Sequence, residues 1–99
     1  MITNLVILTI TAYCHCSICC GIKGQPTASG IMPRVGTTIA APRNIPFGSL
    51  VIFNDGKTRI VQDRLARKYD NRLDIFMSSH ARAKKFGIKK QQVKIVTIK

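Results

Sequence analysis

The chain has 99 residues, which is enough for one domain with a modest core and too little for a second. Hydrophobic residues make up 45% of it and charged residues 20%, which excludes an intrinsically disordered protein. Sixteen Lys and Arg against four acidic residues give a formal net charge of +12, so the expected partner is a polyanion. Nucleic acid, an anionic membrane and an anionic cell wall all meet that description.

The longest apolar run lies near the N-terminus, over residues 5–13, and is shorter than the roughly 20 residues that span a bilayer. No Lys or Arg precedes it and no small-x-small site closes it, so a secretory signal is not indicated. Thr9 and Thr11 alternate with apolar residues, which predicts a buried strand over residues 2–13. We therefore expect a protein that is made in the cytoplasm and has no transmembrane segment.

All four cysteines lie close together at the start of an irregular loop predicted over residues 14–34; they are Cys14, Cys16, Cys19 and Cys20. With His15 between them, their spacing suggests a zinc site, although a structural zinc site usually needs a second cysteine pair farther along the chain. The alternative is a set of thiols that are reduced in the cytosol and bridged locally outside it. We predict a redox-sensitive structural clasp and no cofactor.

Short strands are predicted in the middle of the chain over residues 37–41, 49–53 and 58–63. Pro42 and Pro46 cannot donate to a sheet ladder and mark a turn between the first two strands. Residues 54–56, Asn-Asp-Gly, predict a hairpin turn between the second and third. Residues 64–71 are polar and basic, which predicts an exposed excursion.

The C-terminal third predicts a strand over residues 72–76, a helix over 79–86 and a last strand over 91–98. Ser78 is the expected N-cap of the helix and Gly87 its end. The total is six strands and one short helix. Because closing the sheet removes exposed edges, the expected fold is a mainly β barrel over residues 1–99.

Several phrases of the sequence follow one another in a recognisable order. Residues 11–21 are TAYCHCSICCG, residues 27–30 are TASG, and residues 40–48 are AAPRNIPFG. Two aspartate segments follow, VQDR over residues 61–64 and RLDIF over residues 72–76. This series resembles the small bacterial and phage 3D-domain proteins, and its third phrase is also similar to rare-lipoprotein-A-type proteins.

The resemblance implies a six-stranded double-psi β-barrel related to the catalytic domain of membrane-bound lytic transglycosylase A. That family cleaves the β-1,4 bond between N-acetylmuramic acid and N-acetylglucosamine in peptidoglycan without water, leaving a 1,6-anhydro end. The implied protein is a monomeric, endolysin-like enzyme that reaches the wall after release from the cytoplasm. One departure stands out: the family's A-V-D-P segment is Ala40-Ala41-Pro42-Arg43 here, so its first aspartate is missing.

All four acidic residues are aspartates, and Asp74 is the first catalytic candidate. It lies in mid-strand between Leu73 and Ile75, so its side chain points away from theirs. If those neighbours fill the core, Asp74 lies on the opposite face. Apolar surroundings would raise its pKa, as a general acid requires. The resemblance implies that Asp74 acts first as acid and then as base.

Asp63 is the second catalytic candidate, because it ends the strand before Asp74. Two carboxylates that lie close together push each other's pKa values apart, and Arg64 could keep Asp63 ionised. The alternative is structural: Asp63 pairs with Arg64 or Arg72 and holds the loop.

Sugar binding is expected from four residues, namely Tyr13, Thr27, Ser29 and Arg64. Tyr13 stacks on a sugar ring or, alternatively, plugs the barrel. Thr27 and Ser29 hydrogen-bond sugar or a catalytic carboxylate, or else they cap their own loop. The remaining acids, Asp55 and Asp70, are expected in a turn and in a turn or salt bridge, respectively.

Three functions remain open at this point. The first is cleavage of peptidoglycan glycan strands, and the second is a non-catalytic, glycan-binding or wall-loosening barrel of the expansin type. The third is nucleic-acid binding, which the charge alone suggests. Binding of single strands needs exposed aromatic residues. Aromatic residues make up only 6% of the chain, so the third function is a minor alternative.

Overall fold

Within the described residues, which are 2–14, 27–65 and 71–97 of this computed structural model, six strands and one helix are present. The predicted six-stranded, mainly β barrel with one short helix is confirmed. The elements in chain order are β1 (Ile2–Cys14), β2 (Thr38–Ala41), β3 (Leu50–Ile52), β4 (Thr58–Arg64), β5 (Arg72–Met77), α1 (His80–Phe86) and β6 (Lys89–Thr97).

The strands close into a barrel in the order β1-β5-β2-β4-β3-β6. Two pairs are parallel, β1 with β5 and β2 with β4, and the other pairs are antiparallel. Exchanging β1 with β4, β2 with β5 and β3 with β6 maps the β2–β5 and β3–β6 pairs onto themselves and every other pair onto a pair of the same sense. The topology therefore has an internal two-fold relation between the first three strands and the last three.

Each strand places at least one fully buried apolar side chain in the core; the largest are Ile10, Ile39, Val51, Val61, Leu73 and Val93. Five of the six are β-branched, and such side chains pack well on a pleated sheet surface. The apolar and polar residues alternate along the strands because successive side chains point to opposite faces. One face of each strand therefore forms the core, and the other is left for polar chemistry.

The first half of β1 is exposed, so the expectation of a buried first strand is wrong for that half. Leu5 is 59% exposed and Ile7 66% exposed, whereas Ile10 is fully buried. The reason lies in the pairing: β1 pairs with β6 from Ile2 onward but with β5 only from Thr9 onward. Before Thr9, β1 pairs with β6 alone, so this part of β1 is a local edge of the sheet, while β6 continues to pair with β3 on its other side.

The predicted hairpin turn joins β3 to β4 as expected. The Phe53 amide donates to the Lys57 carbonyl over 2.9 Å, and Gly56 takes a φ of +87°. Only glycine adopts that backbone region without strain. The turn across residues 42–48 is also present, where the Ile45 amide donates to the Pro42 carbonyl over 3.1 Å.

Helix α1 begins one residue later than predicted, because Ser79 and not Ser78 is its N-cap. The Ser79 hydroxyl accepts a hydrogen bond from the Arg82 amide over 3.2 Å. The helix ends at Gly87 as expected. Among the described residues, no helix is both long and apolar enough to cross a membrane.

Some predicted boundaries shift, and others fall outside the described residues. Cys14 is a buried residue of β1, so it does not belong to an exposed loop as predicted. Arg64 belongs to β4 and is half-buried, which corrects its place in the exposed excursion. Strand β6 begins at Lys89, two residues early. The rest of the predicted loop up to residue 26, and residues 66–70 of the predicted excursion, lie outside the described part.

The contrast between the core and the exposed first half of β1 gives a matched pair of substitutions. Leu73→Ala empties a fully buried site and should lower the free energy of unfolding by about 3 kcal/mol. Leu5→Ala, in the exposed first half of β1, should change it by about 0.5 kcal/mol or less. Urea unfolding of both variants measures the two values. Equal losses would contradict this assignment of the core.

Candidate active site

Asp63 and Asp74 lie on either side of one residue of β2. Ala40 pairs with Asp74 of β5 on one side and with Asp63 of β4 on the other. Since neighbouring strands are about 4.8 Å apart, the two aspartate Cα atoms are separated by roughly 10 Å. Only the methyl group of Ala40 stands between them in this row. The sheet therefore brings together the two carboxylates that the sequence singled out.

A β-bulge places Asp63 in that row. Ile39 pairs with Val61, but the next residue, Ala40, pairs with Asp63, so Gln62 is an extra residue in β4. Without the bulge, regular alternation would put Asp63 on the same face as Val61, which is in the core. Bulges re-aim side chains in this way and are common beside functional sites. Here the bulge turns a carboxylate out of the core.

Asp74 lies on the face of β5 opposite to Leu73 and Ile75, which are buried; the predicted orientation is confirmed. Burial raises the pKa of Asp74 above its usual value, as predicted, and the charge of Asp63 raises it further. Two contacts oppose the rise in this pKa. The Thr11 hydroxyl donates to Asp74 Oδ1 over 2.9 Å, and Arg72 is a nearby cation. Burial is the largest of these effects.

Asp63 accepts three hydrogen bonds from described residues. The backbone amides of Ala28 and Arg64 each donate to Oδ1 over 2.9 Å, and the Tyr13 hydroxyl donates to Oδ2 over 2.9 Å. Amide donors of this kind hold a carboxylate in a fixed orientation. Asp63 therefore fastens the loop after residue 26 to the barrel, and it also borders Asp74. These contacts fit both the structural and the catalytic alternatives.

Tyr13 lies on the outer face of the barrel and is half-buried. Its ring meets the Phe76 ring edge-on, with centroids 5.4 Å apart and planes at 65°. Tyr13 and Phe76 are also register partners between β1 and β5. Tyr13 is not among the core residues, so it does not plug the barrel. Its hydroxyl is directed to Asp63 instead.

Thr27 and Ser29 cap their own loop. The Thr27 hydroxyl donates to the Ile31 carbonyl over 2.6 Å and lies 3.0 Å from the Ser29 hydroxyl. The Ser29 amide donates to the Gln62 carbonyl over 3.2 Å. The loop-capping alternative therefore describes the contacts of both hydroxyls. The contact of this loop with a candidate catalytic carboxylate is made by the Ala28 backbone amide, which donates to Asp63.

The Arg64 side chain lies over an aromatic ring. Its guanidinium carbon is 3.9 Å from the centroid of the Phe47 ring, which is a cation–π distance. Burial lowers the pKa of Arg64, and the charge of Arg43 lowers it further. Asp63, which raises that pKa, is the weakest of the three influences. The predicted role of Arg64 in holding Asp63 rests on its backbone amide and its charge, with the guanidinium stacked on Phe47.

The other candidate residues take the following places. Asp55 lies in the β3–β4 turn, where its Oδ1 accepts from the Lys57 amide over 3.0 Å, so its predicted turn role is confirmed. Asp70, Cys16, Cys19 and Cys20 lie outside the described residues, as does His15. Within the described part of the chain, no three His, Cys, Asp or Glu side chains converge in a way that could hold a metal ion.

The candidate site lies apart from two cavities of the described part, which measure about 560 and 240 Å³. Neither is lined by Asp63 or Asp74. The smaller one is bounded by Pro42 and Ile45, next to the end of β2.

Comparison with models of known protein families finds no match for this chain, and comparison with curated proteins finds none either.

Thr11 and Ala28 are the contributors that the sequence alone does not single out. Thr11 pairs in register with Asp74 and donates a hydrogen bond to its carboxylate. Its hydroxyl also contacts the Leu73 carbonyl, which is 62 residues away in the sequence. Ala28 acts through its backbone amide, which leaves no trace in residue type. The signal for Thr11 is a hydroxyl side chain that alternates with apolar residues near the end of β1. That signal becomes specific only when the partner strand is known.

The half-buried carboxyl of Asp74 makes stability depend on pH. Its pKa is raised in the folded chain, so the folded state binds more protons than the unfolded state between the two pKa values. The contribution of Asp74 to stability therefore falls as pH rises through that window. Asp74→Asn cannot ionise, so it should gain stability over the wild type as the pH is raised from about 3 to about 7.

Urea unfolding of both chains at the two pH values measures this gain. A stability difference between the chains that stays constant with pH, or that grows toward acid, would contradict a raised pKa at Asp74.

Proposed function

We propose that this protein cleaves the glycan strands of peptidoglycan, with Asp74 as the proton donor. One observation carries the proposal: Asp74 is a half-buried carboxyl with a raised pKa, positioned by the Thr11 hydroxyl and bordered by Asp63. A raised pKa favours the protonated form of a carboxyl, which is the form that protonates a glycosidic oxygen.

The topology supports the same proposal. A closed six-stranded barrel with a two-fold relation between its halves is the arrangement expected of a double-psi barrel. Several of the motif phrases that resemble the 3D-domain family contribute residues to the site. Thr11 and Tyr13 come from the first phrase, residues 27–30 form the capping loop, and the last two phrases supply the aspartates.

The proposed reaction begins with proton transfer from Asp74 to the oxygen that links the two sugars. The bond from that oxygen to the anomeric carbon of N-acetylmuramic acid breaks, and positive charge develops on the sugar ring. The sugar's own 6-hydroxyl oxygen then bonds to the anomeric carbon, and its proton passes to Asp74. No water is consumed, and the carboxyl ends in the protonation state in which it began.

In this scheme, Asp63 raises the pKa of Asp74 and the Thr11 hydroxyl lowers it. The Asp63 charge favours the protonated form of Asp74 that donates. The Thr11 hydrogen bond stabilises the ionised form left after donation and fixes the orientation of the carboxyl. Tyr13 and the Ala28 amide in turn hold Asp63. Asp63 is thus proposed as a positioning residue for the proton on Asp74.

The second candidate function is glycan binding without cleavage, as in a wall-loosening barrel. The observation that favours it is Pro42, which stands where the resembling family carries its first aspartate. Pro42 is buried directly after β2 and has no titratable group. A chain that sediments with purified walls and releases no soluble fragments would favour binding over cleavage.

The role of Asp74 is tested by Asp74→Asn, which keeps the shape of the side chain and removes its titratable proton. Lytic activity on purified walls, followed as loss of turbidity, should fall by about 100-fold or more. The matched control is Asp55→Asn, the same change in the exposed β3–β4 turn, which should keep wild-type activity. A fully lytic Asp74→Asn chain that is folded by circular dichroism would contradict the assignment.

The net charge of +12 gives a second prediction, about salt. If attraction to an anionic wall limits the rate, lysis should slow steeply as salt is raised to about 0.5 M, where the Debye length is about 4 Å. Initial rates on intact walls are measured against rates on a short uncharged glycan, which should depend far less on salt. Equal salt dependence on both substrates would show that attraction between the net charge and the wall does not limit lysis.

A further inference from the structure

The larger cavity, of about 560 Å³, lies away from the two carboxylates. It is bounded by the β3–β4 hairpin, the ends of β5 and α1, and the start of β6. Ile75 and Met77 line it, whereas Asp74 and Phe76 alternate with them along β5 and point to the other face. A ligand in this cavity therefore does not contact the candidate active site.

The lining of this cavity is strongly basic, with four cationic side chains: Lys57, Arg59, Lys89 and Lys90. Among the described residues, Asp55 is the one carboxylate that lines it, and Asp55 is already engaged. Its Oδ1 accepts from the Lys57 amide over 3.0 Å, and its Oδ2 lies 4.0 Å from Lys57 Nζ. Positive charge thus exceeds negative charge inside the cavity.

Among the described cations of this lining, Arg59 is the one with a buried donor that lacks a partner. Its Nη1 is buried and finds no hydrogen-bond partner among the described residues. Burial lowers the pKa of Arg59, and the nearby charge of Asp55 opposes that effect only in part. A buried donor without a partner is costly, and a charged one more so. An anion held against the guanidinium would offset the cost of burying its charge.

Lys89 and the apolar residues of the cavity define where a charged group and a carbon skeleton would lie. Lys89 Nζ lies 4.3 Å from the centroid of the Phe86 ring, which positions the ammonium group at the cavity wall. The floor is apolar, with Phe53, Ile75 and Met77. Amide side chains of Gln91 and Gln92 complete the lining. The cavity thus pairs a cationic wall with an apolar floor, and its volume is within the range of small-molecule sites.

From this lining we propose that the cavity binds a small organic phosphate ester, with its phosphoryl oxygens at Arg59 and Lys89 and its carbon part on the apolar floor. Phosphate fits better than carboxylate for two reasons. It carries up to two negative charges against several cations, and it offers three terminal oxygens to donors that come from β4 and β6. The proposal does not depend on the function proposed for Asp74.

The test uses the full chain and two probes, phenyl phosphate and inorganic phosphate, in isothermal titration calorimetry. Both should bind, and phenyl phosphate should bind more tightly because its ring lies on the apolar floor. Amide chemical shifts in the bound state should change at residues 53–59 and 89–92. Changes confined to other residues, or no binding up to about 10 mM, would overturn the proposal.

Single-charge variants distinguish specific binding in the cavity from non-specific attraction by the net charge of the protein. Arg59→Gln and Lys89→Gln should each weaken phenyl phosphate binding by about tenfold. Lys84→Gln removes the same unit of charge from α1, outside the cavity lining, and should change binding by about twofold or less. Lys89 is exposed at the start of β6, so its variant tests the site even if Arg59→Gln fails to fold. Equal weakening by Lys84→Gln and Lys89→Gln would show non-specific attraction and overturn the proposal.

Discussion

The arrangement of the candidate site depends on the pairing of Ala40 with aspartates on both sides. That pairing needs β2 to lie between β4 and β5, and it needs the bulge at Gln62 that turns Asp63 to the outer face. The bulge is held from both sides: the Thr38 hydroxyl donates to Gln62 Oε1 over 2.6 Å, and the Gln62 carbonyl accepts from the Ser29 amide over 3.2 Å. The same loop that stabilises the bulge supplies the Ala28 amide to Asp63. Fold and site thus share one set of hydrogen bonds.

The partial burial of Asp74 has two consequences. It disfavours the ionised carboxylate, so the fold loses stability as pH rises. It also favours the protonated carboxyl that the proposed reaction needs. Each strand contributes at least one fully buried side chain to the core, and this packing offsets the loss of stability. Four of the sixteen Lys and Arg line the cavity beside the β3–β4 hairpin, away from the acid, whereas Arg72 lies near it.

Local patterns predicted most of the fold. Apolar runs, which alternate with polar residues in β1 and β6, located all six strands, and the Asn-Asp-Gly turn and Gly87 located two boundaries, because these signals depend on neighbours in the chain. Alternation also predicted the face on which Asp74 lies. The exposed half of β1, the bulge at Gln62 and the Thr11 contact were not predictable. Each depends on which strands pair and in what register, and that is decided by packing across the barrel between segments far apart in sequence.

The central claim is that this barrel breaks glycosidic bonds by moving one proton on and off Asp74 without water. Mass spectrometry of the fragments released from purified peptidoglycan tests it most directly. The account predicts fragments that end in 1,6-anhydro-N-acetylmuramic acid, and none of them from the Asp74→Asn chain. Fragments with ordinary reducing ends would contradict the proposed chemistry, and walls left intact by the folded wild-type chain would contradict cleavage altogether.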